Sequence, residues 1–391
     1  MDKSYDVIVV GAGPAGSMAA LKGAAGGAKT ILLEKHERIG QPVCCAEGIT
    51  VSGLERAIKV RPEWISSKIE GARIVGPSGK SVTILHPEAG FVLDRTVFDL
   101  DLARLASEAG AEIATCSPAI DLRLDQDGKI ASLTVDDYGT RKEVSGKVII
   151  AADGVESRVA HMAGIDTTTD LNDIDSACQY LAGDVEIEEE ILSLYIGSKI
   201  APGGYAWVFP KSRDTANIGL AICPAKANGR SAREYLDLFM ADHFPKFKRL
   251  KTMMGIVPAF NSKIPLVKGN LMLTGDAARV LDSLSGAGIS NALLSGSIAG
   301  EIAAAFIARG TELREYPSRF MRLKSRELYA YKLFRSLFVK VIDGDFDKIV
   351  DAIDDYFPEK KIRGINVPDT IFKLVLRNPG LLSLARYLIT Q

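Results

Sequence analysis

Short apolar runs that end in glycine or in an acid recur along this chain, and they set its predicted elements. The first, Val7 to Val10, has no polar interruption, the pattern of a strand buried on both faces. It runs into Gly11-x-Gly13-x-x-Gly16, and small residues from about Pro14 to Gly26 predict a helix. A second apolar run, Ile31 to Leu33, ends in Glu34. Strand-like runs follow at Ala72 to Val75, Val82 to Leu85 and Phe91 to Leu93. Apolar Val97, Leu100, Leu102, Leu105 and Ala106 then predict a helix over 96–109, led by Asp94-Arg95 and ended by Gly110. Ala119 to Leu124 and Ile130 to Val135, separated by Asp-Gln-Asp-Gly128, predict a β-hairpin. Val148 to Ala152 is a buried strand closed by Asp153-Gly154.

From about 173 to 265 the pattern changes to alternating strands, such as Leu192 to Ile196, Ala206 to Pro210 and Ala216 to Ile222, with a helix near Ser231 to Asp242. An antiparallel sheet inserted between the two halves of the first domain has this signature. The first pattern returns at Leu271-Met-Leu-Thr-Gly-Asp276, followed by a long helix after Gly286. From Glu312 onward the chain reads as mostly helical. The predicted divisions are 1–172, with a small segment near 60–95 belonging to the inserted sheet, then 173–265, 266–310 and a helical region 311–391. Ile289 to Ala308 is the most membrane-like stretch, but Asn291 and Glu301 break it, so it reads as a buried helix.

Composition narrows this picture little. With 391 residues, 47% hydrophobic and 25% charged, the chain has the material for a large core. A formal net charge of -1 gives no overall pull toward nucleic acid. The five cysteines, Cys44, Cys45, Cys116, Cys178 and Cys223, form no disulfide framework, which favours a reducing cytoplasm. Met1 leads almost directly into a strand, so no cleaved leader is expected. The four histidines are scattered without metal spacing, so no metal site is expected.

The first unit carries the strongest chemistry. Gly11 permits a tight turn, Gly13 lets the backbone approach a pyrophosphate, and Gly16 lets helix and strand pack closely. Ala15 follows the favourable Pro14 at the start of a helix whose free N–H groups attract phosphate. Glu34 stands where a carboxylate accepts hydrogen bonds from ribose hydroxyls. Asp153-Gly154-Val-Glu-Ser-Arg158 and Gly275-Asp276 repeat the grammar of a strand delivering an acid to a turn. Gly286-Ala-Gly288-Ile289 opens the long helix with backbone amides.

In combination, GAGPAG…E, Asp94-Arg95 before a helix, AADGVESR and GDAA…GAGIS resemble the FAD enzymes of the p-hydroxybenzoate hydroxylase fold. Within that fold, Pro42-Val-Cys-Cys-Ala-Glu-Gly-Ile49 and Pro202-Gly-Gly-Tyr-Ala-Trp-Val-Phe-Pro210 are similar to the geranylgeranyl reductase family, in pattern most like its archaeal digeranylgeranylglycerophospholipid reductases. The resemblance covers residues 1 to about 310. It implies a mixed α/β (α+β) architecture: a Rossmann-like FAD-binding domain, an inserted antiparallel β-sheet substrate domain and a helical C-terminal region. It places Gly11, Gly13, Ala15 and Gly16 at the FAD pyrophosphate and Glu34 at the adenosine ribose. Arg95 would meet the phosphate or ribose side, the backbone near Ala119 the adenine, and Asp276 the ribitol. The backbones of Gly288, Ile289, Cys45, Ala46 and Gly48 would border the flavin ring, with Asp153 in the second signature.

The same resemblance implies a reductase that passes hydride from reduced FAD to a prenyl double bond of an isoprenoid ether-lipid precursor, with NADPH or reduced ferredoxin as electron donor. Cys45 is the candidate catalytic thiol, placed to donate a proton, gate the flavin ring or pack against substrate; alternatively the two cysteines are small buried hydrophobes. Tyr205, Trp207 and Phe209 share one strand face by period-two spacing. That face lines either a prenyl pocket or the sheet's own core. The stretch Arg314 to Lys340 interleaves bases with aromatics, which suits peripheral contact with the inner face of the membrane or a solvated helix face. The competing activity is an FAD monooxygenase of the same fold acting on an aromatic or polyprenyl substrate. An electron-transfer flavoprotein dehydrogenase would need a C-terminal cysteine cluster, and no cysteine follows Cys223. A lipid carrier with structural FAD is the reading from another class.

Overall fold

The structure is a computed structural model that describes residues 1–357 together with Thr370, Lys373 and Arg377. The part of the expected C-terminal helical region beyond 357 lies, apart from those three residues, outside the described residues. Two sheets carry the molecule. In the first, strands Val267–Lys268, Leu271–Leu273, Thr140–Ala151, Ser4–Val10, Thr30–Leu33 and Glu112–Ala114 lie side by side in that order. All neighbours after the first pair are parallel, with Val10 opposite both Leu33 and Ala151, and Ala151 opposite Leu273. Parallel strands with level ends deliver whatever follows them to one sheet edge, where ligands bind in such folds. Here the four segments that follow are the glycine turn, Glu34, Asp153-Gly154 and Gly275-Asp276. The hairpin Ala119–Leu124 and Ile130–Asp137 continues antiparallel onto Thr140–Ala151.

The second sheet runs Lys248–Pro258, Ile174–Gly183, Thr215–Ile222, Tyr205–Pro210, Ile191–Ile196, Ile65–Val75, Ser81–Leu93 and Gly48–Ile49. It is antiparallel except where Ile191–Ile196 runs parallel to Ile65–Val75. The short runs anticipated around 72–93 are parts of two strands of 11 and 13 residues. The strand Lys248–Pro258 has no clear signature, because an edge strand with Lys248, Arg249 and Lys251 on it loses the apolar alternation.

Helix Pro14–Ala25 packs against helix Ile289–Arg309 more closely than side chains normally allow. A Cβ on Gly296 would lie 2.0 Å from the Ala15 carbonyl oxygen, one on Gly300 2.3 Å from that of Ala19, and one on Gly26 2.5 Å from the Ala304 methyl. The two backbones therefore touch, and no larger residue fits at these glycines. The second helix is long and apolar enough to cross a membrane, but 67% of its apolar window is buried in the protein. Helix Arg95–Glu108 is capped by Asp94, whose carboxylate accepts from the Thr96 and Val97 amides. Helix Ala232–His243 opens on a Ser231–Glu234 capping box.

The contact is testable one methyl at a time. Gly300→Ala lowers stability by about 1–3 kcal/mol through overpacking, read as a fall in thermal midpoint. Gly344→Ala, with nothing within 4 Å of its added carbon, leaves the midpoint at or above wild type. Equal midpoints for the two variants would contradict the close packing.

Candidate functional site

The three glycines of the first turn have separate steric reasons. Gly11 has φ +101°, and a Cβ there would lie 2.4 Å from the Ala152 carbonyl oxygen. A Cβ on Gly16 would sit 1.8 Å from the Gly11 carbonyl oxygen. Gly13 is the opposite case, because nothing lies within 4 Å of where its Cβ would be. It begins helix Pro14–Ala25 without a side-chain cap and without an acid in the first turn. Gly288 begins helix Ile289–Arg309 in the same bare way. Unsatisfied amides and the positive dipole end make each terminus a site for negative charge. The helix contact described above brings both termini to one cavity of about 630 Å³.

That cavity is lined by Gly13, Ala15, Cys45, Ala46, Gly48, Arg95, Tyr205, Trp207, Phe209, Asp276, Gly288 and Ile289. Gly11, Gly16, Glu34, Ala119 and Asp153 do not line it. Gly11 and Gly16 lie beneath the turn as packing positions. Glu34 accepts from the Ala12 amide at 2.8 Å and from His36, whose amide lies at 2.9 Å and ring Nδ1 at 2.6 Å. Ala119 is buried at the start of its hairpin strand. Asp153 accepts from the Val159 amide through Oδ2, while its buried Oδ1 has no partner among the described residues. Burial pushes its carboxyl pKa up.

Asp276 is half-buried at the sheet edge, and the Cβ position of Gly288 lies 3.1 Å from its Oδ1. Burial raises its pKa, opposed by Arg279 and Arg95. Its carboxylate takes no hydrogen bond from the described residues, so it is free to accept one from a bound hydroxyl. The Arg95 guanidinium grips Asp99 through two 2.6 Å contacts. Burial works against its charge, but the Asp99 carboxylate outweighs that and holds Arg95 protonated.

The aromatic strand Tyr205–Pro210 is fastened residue by residue. The Tyr205 hydroxyl donates to the Ser285 carbonyl, just ahead of helix Ile289–Arg309. Trp207 donates from Nε1 to Gln179 Oε1 at 2.7 Å, and Gln179 donates onward from Nε2 to the Cys45 carbonyl at 3.1 Å. The Phe209 ring lies over Gly48, where a Cβ would meet it at 2.7 Å. Ring centroids 5.9 and 6.5 Å apart join the three aromatics along one face.

Beneath the Cys45 loop, Glu47 takes φ +72° and is buried. Its carboxylate accepts from Lys211 Nζ at 2.7 Å, Asn217 Nδ2 at 2.6 Å and the Arg95 amide at 2.9 Å. A buried charge held this fully fixes the loop between the second sheet and helix Arg95–Glu108. The Glu47 amide donates to the Cys45 Sγ at 3.2 Å. Burial pushes the Cys45 thiol pKa up, opposed by Arg95, so Sγ carries its proton at neutral pH.

Sequence reasoning singled out neither Glu47, Lys211, Asn217 and Gln179, nor the pair Arg335–Asp175. Arg335 belongs to the stretch that reads as a basic helix surface. In the structure it is 6% exposed and grips Asp175 at 2.6 and 2.8 Å beside the cavity. Arg319 of the same helix, Glu315–Phe338, pairs with Glu301 at 2.8 Å. An Asp in the first buried strand of the inserted sheet was the one available signal for a buried base.

Comparison with known proteins adds the family. The geranylgeranyl reductase catalytic domain matches residues 173–257, and glucose inhibited division protein A matches residues 6–70. The digeranylgeranylglycerophospholipid reductase of Methanocella arvoryzae is 40% identical over 387 residues, 98% of each chain. That of Methanosphaerula palustris is 38% identical over 98% of this chain and 97% of its own. A geranylgeranyl bacteriochlorophyll reductase-like protein from Thermoplasma acidophilum superposes with a TM-score of 0.90 at 34% identity, covering 98% of this chain and 99% of its own. The flavin-dependent brominase Bmp2, at 19% identity and a TM-score of 0.70, covering 91% of this chain and 93% of its own, shares the fold.

The open space above Gly13, the two bare helix termini and the unpaired Asp276 carboxylate fit FAD. Gly13→Asp tests this with separable signs. Its φ of -73° suits any residue and its Cβ has room, so the chain folds, and an acid at the helix N-terminus holds or raises the apo thermal midpoint. The same carboxylate repels a pyrophosphate, so bound FAD in the purified protein falls about 100-fold in affinity, an order-of-magnitude figure for an unpaired like charge in a phosphate site. Wild-type FAD content in the variant would contradict this placement.

Proposed function

The chain belongs to the geranylgeranyl reductase family, with digeranylgeranylglycerophospholipid reductases as full-length relatives, and from that premise we propose how its cavity performs the reaction. The protein is an FAD-dependent oxidoreductase acting on CH–CH groups, saturating double bonds of geranylgeranyl chains in ether-lipid precursors. One observation carries the reading. A single cavity joins the anion-binding termini at Gly13 and Gly288 to the Cys45 loop and the aromatic face of Tyr205, Trp207 and Phe209.

The termini at Gly13 and Gly288, with Asp276, would hold FAD, and the chemistry it would supply when bound and reduced is a hydride for one alkene carbon. The chain must hold the alkene, exclude water and provide the proton. The aromatic wall supplies apolar surface for an isoprenoid chain. Gln179 holds the Trp207 indole and the Cys45 carbonyl in one frame, so wall and thiol keep a fixed relation. Cys45 Sγ, kept protonated by burial, carries the proton for the second alkene carbon. Such an isolated alkene is a poor acceptor, and positioning in a dry pocket supplies much of the acceleration.

The chain offers one glycine-rich dinucleotide unit, and FAD takes it. This supports a donor that docks transiently, NADPH or a reduced ferredoxin, and anaerobic bleaching of the flavin by each in turn identifies which. The lipid substrate supports a cytoplasmic protein resting peripherally on the inner face of the membrane. The burial of helix Ile289–Arg309 favours that over a membrane span.

Anaerobic incubation of the reduced holoenzyme with unsaturated ether lipid is expected to raise the lipid mass in steps of two hydrogens. Gain of an oxygen atom, with strict dependence on oxygen, would establish the monooxygenase instead. Cys45→Ala keeps wild-type FAD content and slows reduction by ~10²-fold or more, the lower end for a lost general acid. Unchanged turnover would remove the thiol from the mechanism.

A further inference from the structure

One sheet edge that borders the cavity has an unusual composition. Among the described residues, strand Lys248–Pro258 is the last in its sheet, paired on one side with Ile174–Gly183 and with no strand on the other. Five consecutive residues, Met253 to Val257, border the cavity, so the cavity runs up to this strand. Leu250, Met254 and Ile256 are 50%, 56% and 51% exposed. Leu250 sits where the register slips, with Arg249 opposite Ala182 and Lys251 opposite Leu181, so it has no cross-strand partner. Lys246, Lys248 and Lys251 are exposed, and no carboxylate among the described residues pairs with them. Arg249 is otherwise engaged, 3.5 Å from Asp237 and over the Tyr180 ring.

Lysines on an edge strand guard against strand pairing. That role does not explain three half-exposed apolar side chains on the same strand, which make an edge stickier. Apolar side chains flanked by unpaired bases suit a surface that offers hydrocarbon under a layer of negative charge. We propose that the Lys248–Pro258 edge is the docking surface for an anionic lipid bilayer, across which prenyl chains pass into the cavity without crossing water. This rests on the prenyl-lipid reading above and names the surface that serves it. The helix Glu315–Phe338 is a poorer candidate, since Arg319 and Arg335 are spent on Glu301 and Asp175.

The test uses full-length holoenzyme sedimented with phosphatidylglycerol vesicles and, separately, with phosphatidylcholine vesicles. Lys248→Glu/Lys251→Glu and Leu250→Ser are compared with wild type, with FAD content and thermal midpoint as folding controls. Wild type is expected to sediment with the anionic vesicles and to stay in solution with the neutral ones. The double charge reversal weakens that binding about tenfold or more, and Leu250→Ser weakens it several-fold. Turnover of substrate embedded in vesicles falls in step, while turnover of detergent-dispersed substrate holds. Wild-type vesicle binding by both variants overturns the proposal. So does an effect confined to electron delivery from a reduced iron–sulfur carrier protein, which would make the edge a protein dock. If wild type reduces no prenyl lipid even in detergent, the reductase reading fails, and vesicle binding still decides the surface.

Discussion

Everything in this protein depends on two helices touching backbone to backbone. Glycine at 296 and 300 lets helix Ile289–Arg309 lie against Ala15 and Ala19 of helix Pro14–Ala25, and Gly26 repeats the fit against Ala304. The contact joins a segment near the start of the chain to one almost 280 residues later. Its consequence is electrostatic. Two helix N-termini, neither with a side-chain cap nor with an acid in its first turn, border one cavity. A helix terminus left bare inside a protein is costly unless something negative meets it. In the proposed binding mode a dinucleotide pyrophosphate would meet that need at Gly13, and the polar edge of a flavin would meet it at Gly288.

The opposite wall is built for a different task. Glu47 binds Lys211, Asn217 and the Arg95 amide at once, so the Cys45–Gly48 loop is held from the second sheet and from helix Arg95–Glu108 together. The aromatic strand is then tied to that loop through Gln179 and to the glycine-rich loop at Ser285 through Tyr205. Removing one partner of such a network leaves a buried charge uncompensated, which is worse than having no network. The polar groups therefore brace the cavity wall, while the surface that wall presents, Tyr205, Trp207 and Phe209, stays aromatic.

The glycine turn was legible from sequence because the spacing of its three glycines is itself local, although only Gly16 answers a neighbour in the turn, Gly11 makes room for Ala152, and Gly13 leaves open space. The strand ends that deliver Glu34, Asp153 and Asp276 were legible because an apolar run ending in an acid is itself local. Cys45 and the Tyr205–Phe209 face came from family resemblance, and the structure adds that they share one cavity. The network under Cys45 was not legible. Glu47 pairs with residues 164 and 170 positions away, and no periodicity links them. Arg335 looked like one more base on an amphipathic helix, since its partner Asp175 lies 160 positions earlier. The edge strand Lys248–Pro258 escaped notice because half of it faces water and its lysines hide the alternation.

Flavin and prenyl chain held in one cavity, as proposed, would exchange electrons directly. A single-turnover measurement tests this. Holoenzyme is reduced and freed of excess reductant without oxygen, then mixed with the unsaturated ether lipid while the oxidised-flavin absorbance is followed. Oxidised flavin is expected to return at a rate that rises and then saturates with lipid concentration, with one flavin reoxidised per double bond lost. Flavin that stays reduced until oxygen is admitted, in the presence of bound lipid, would contradict it.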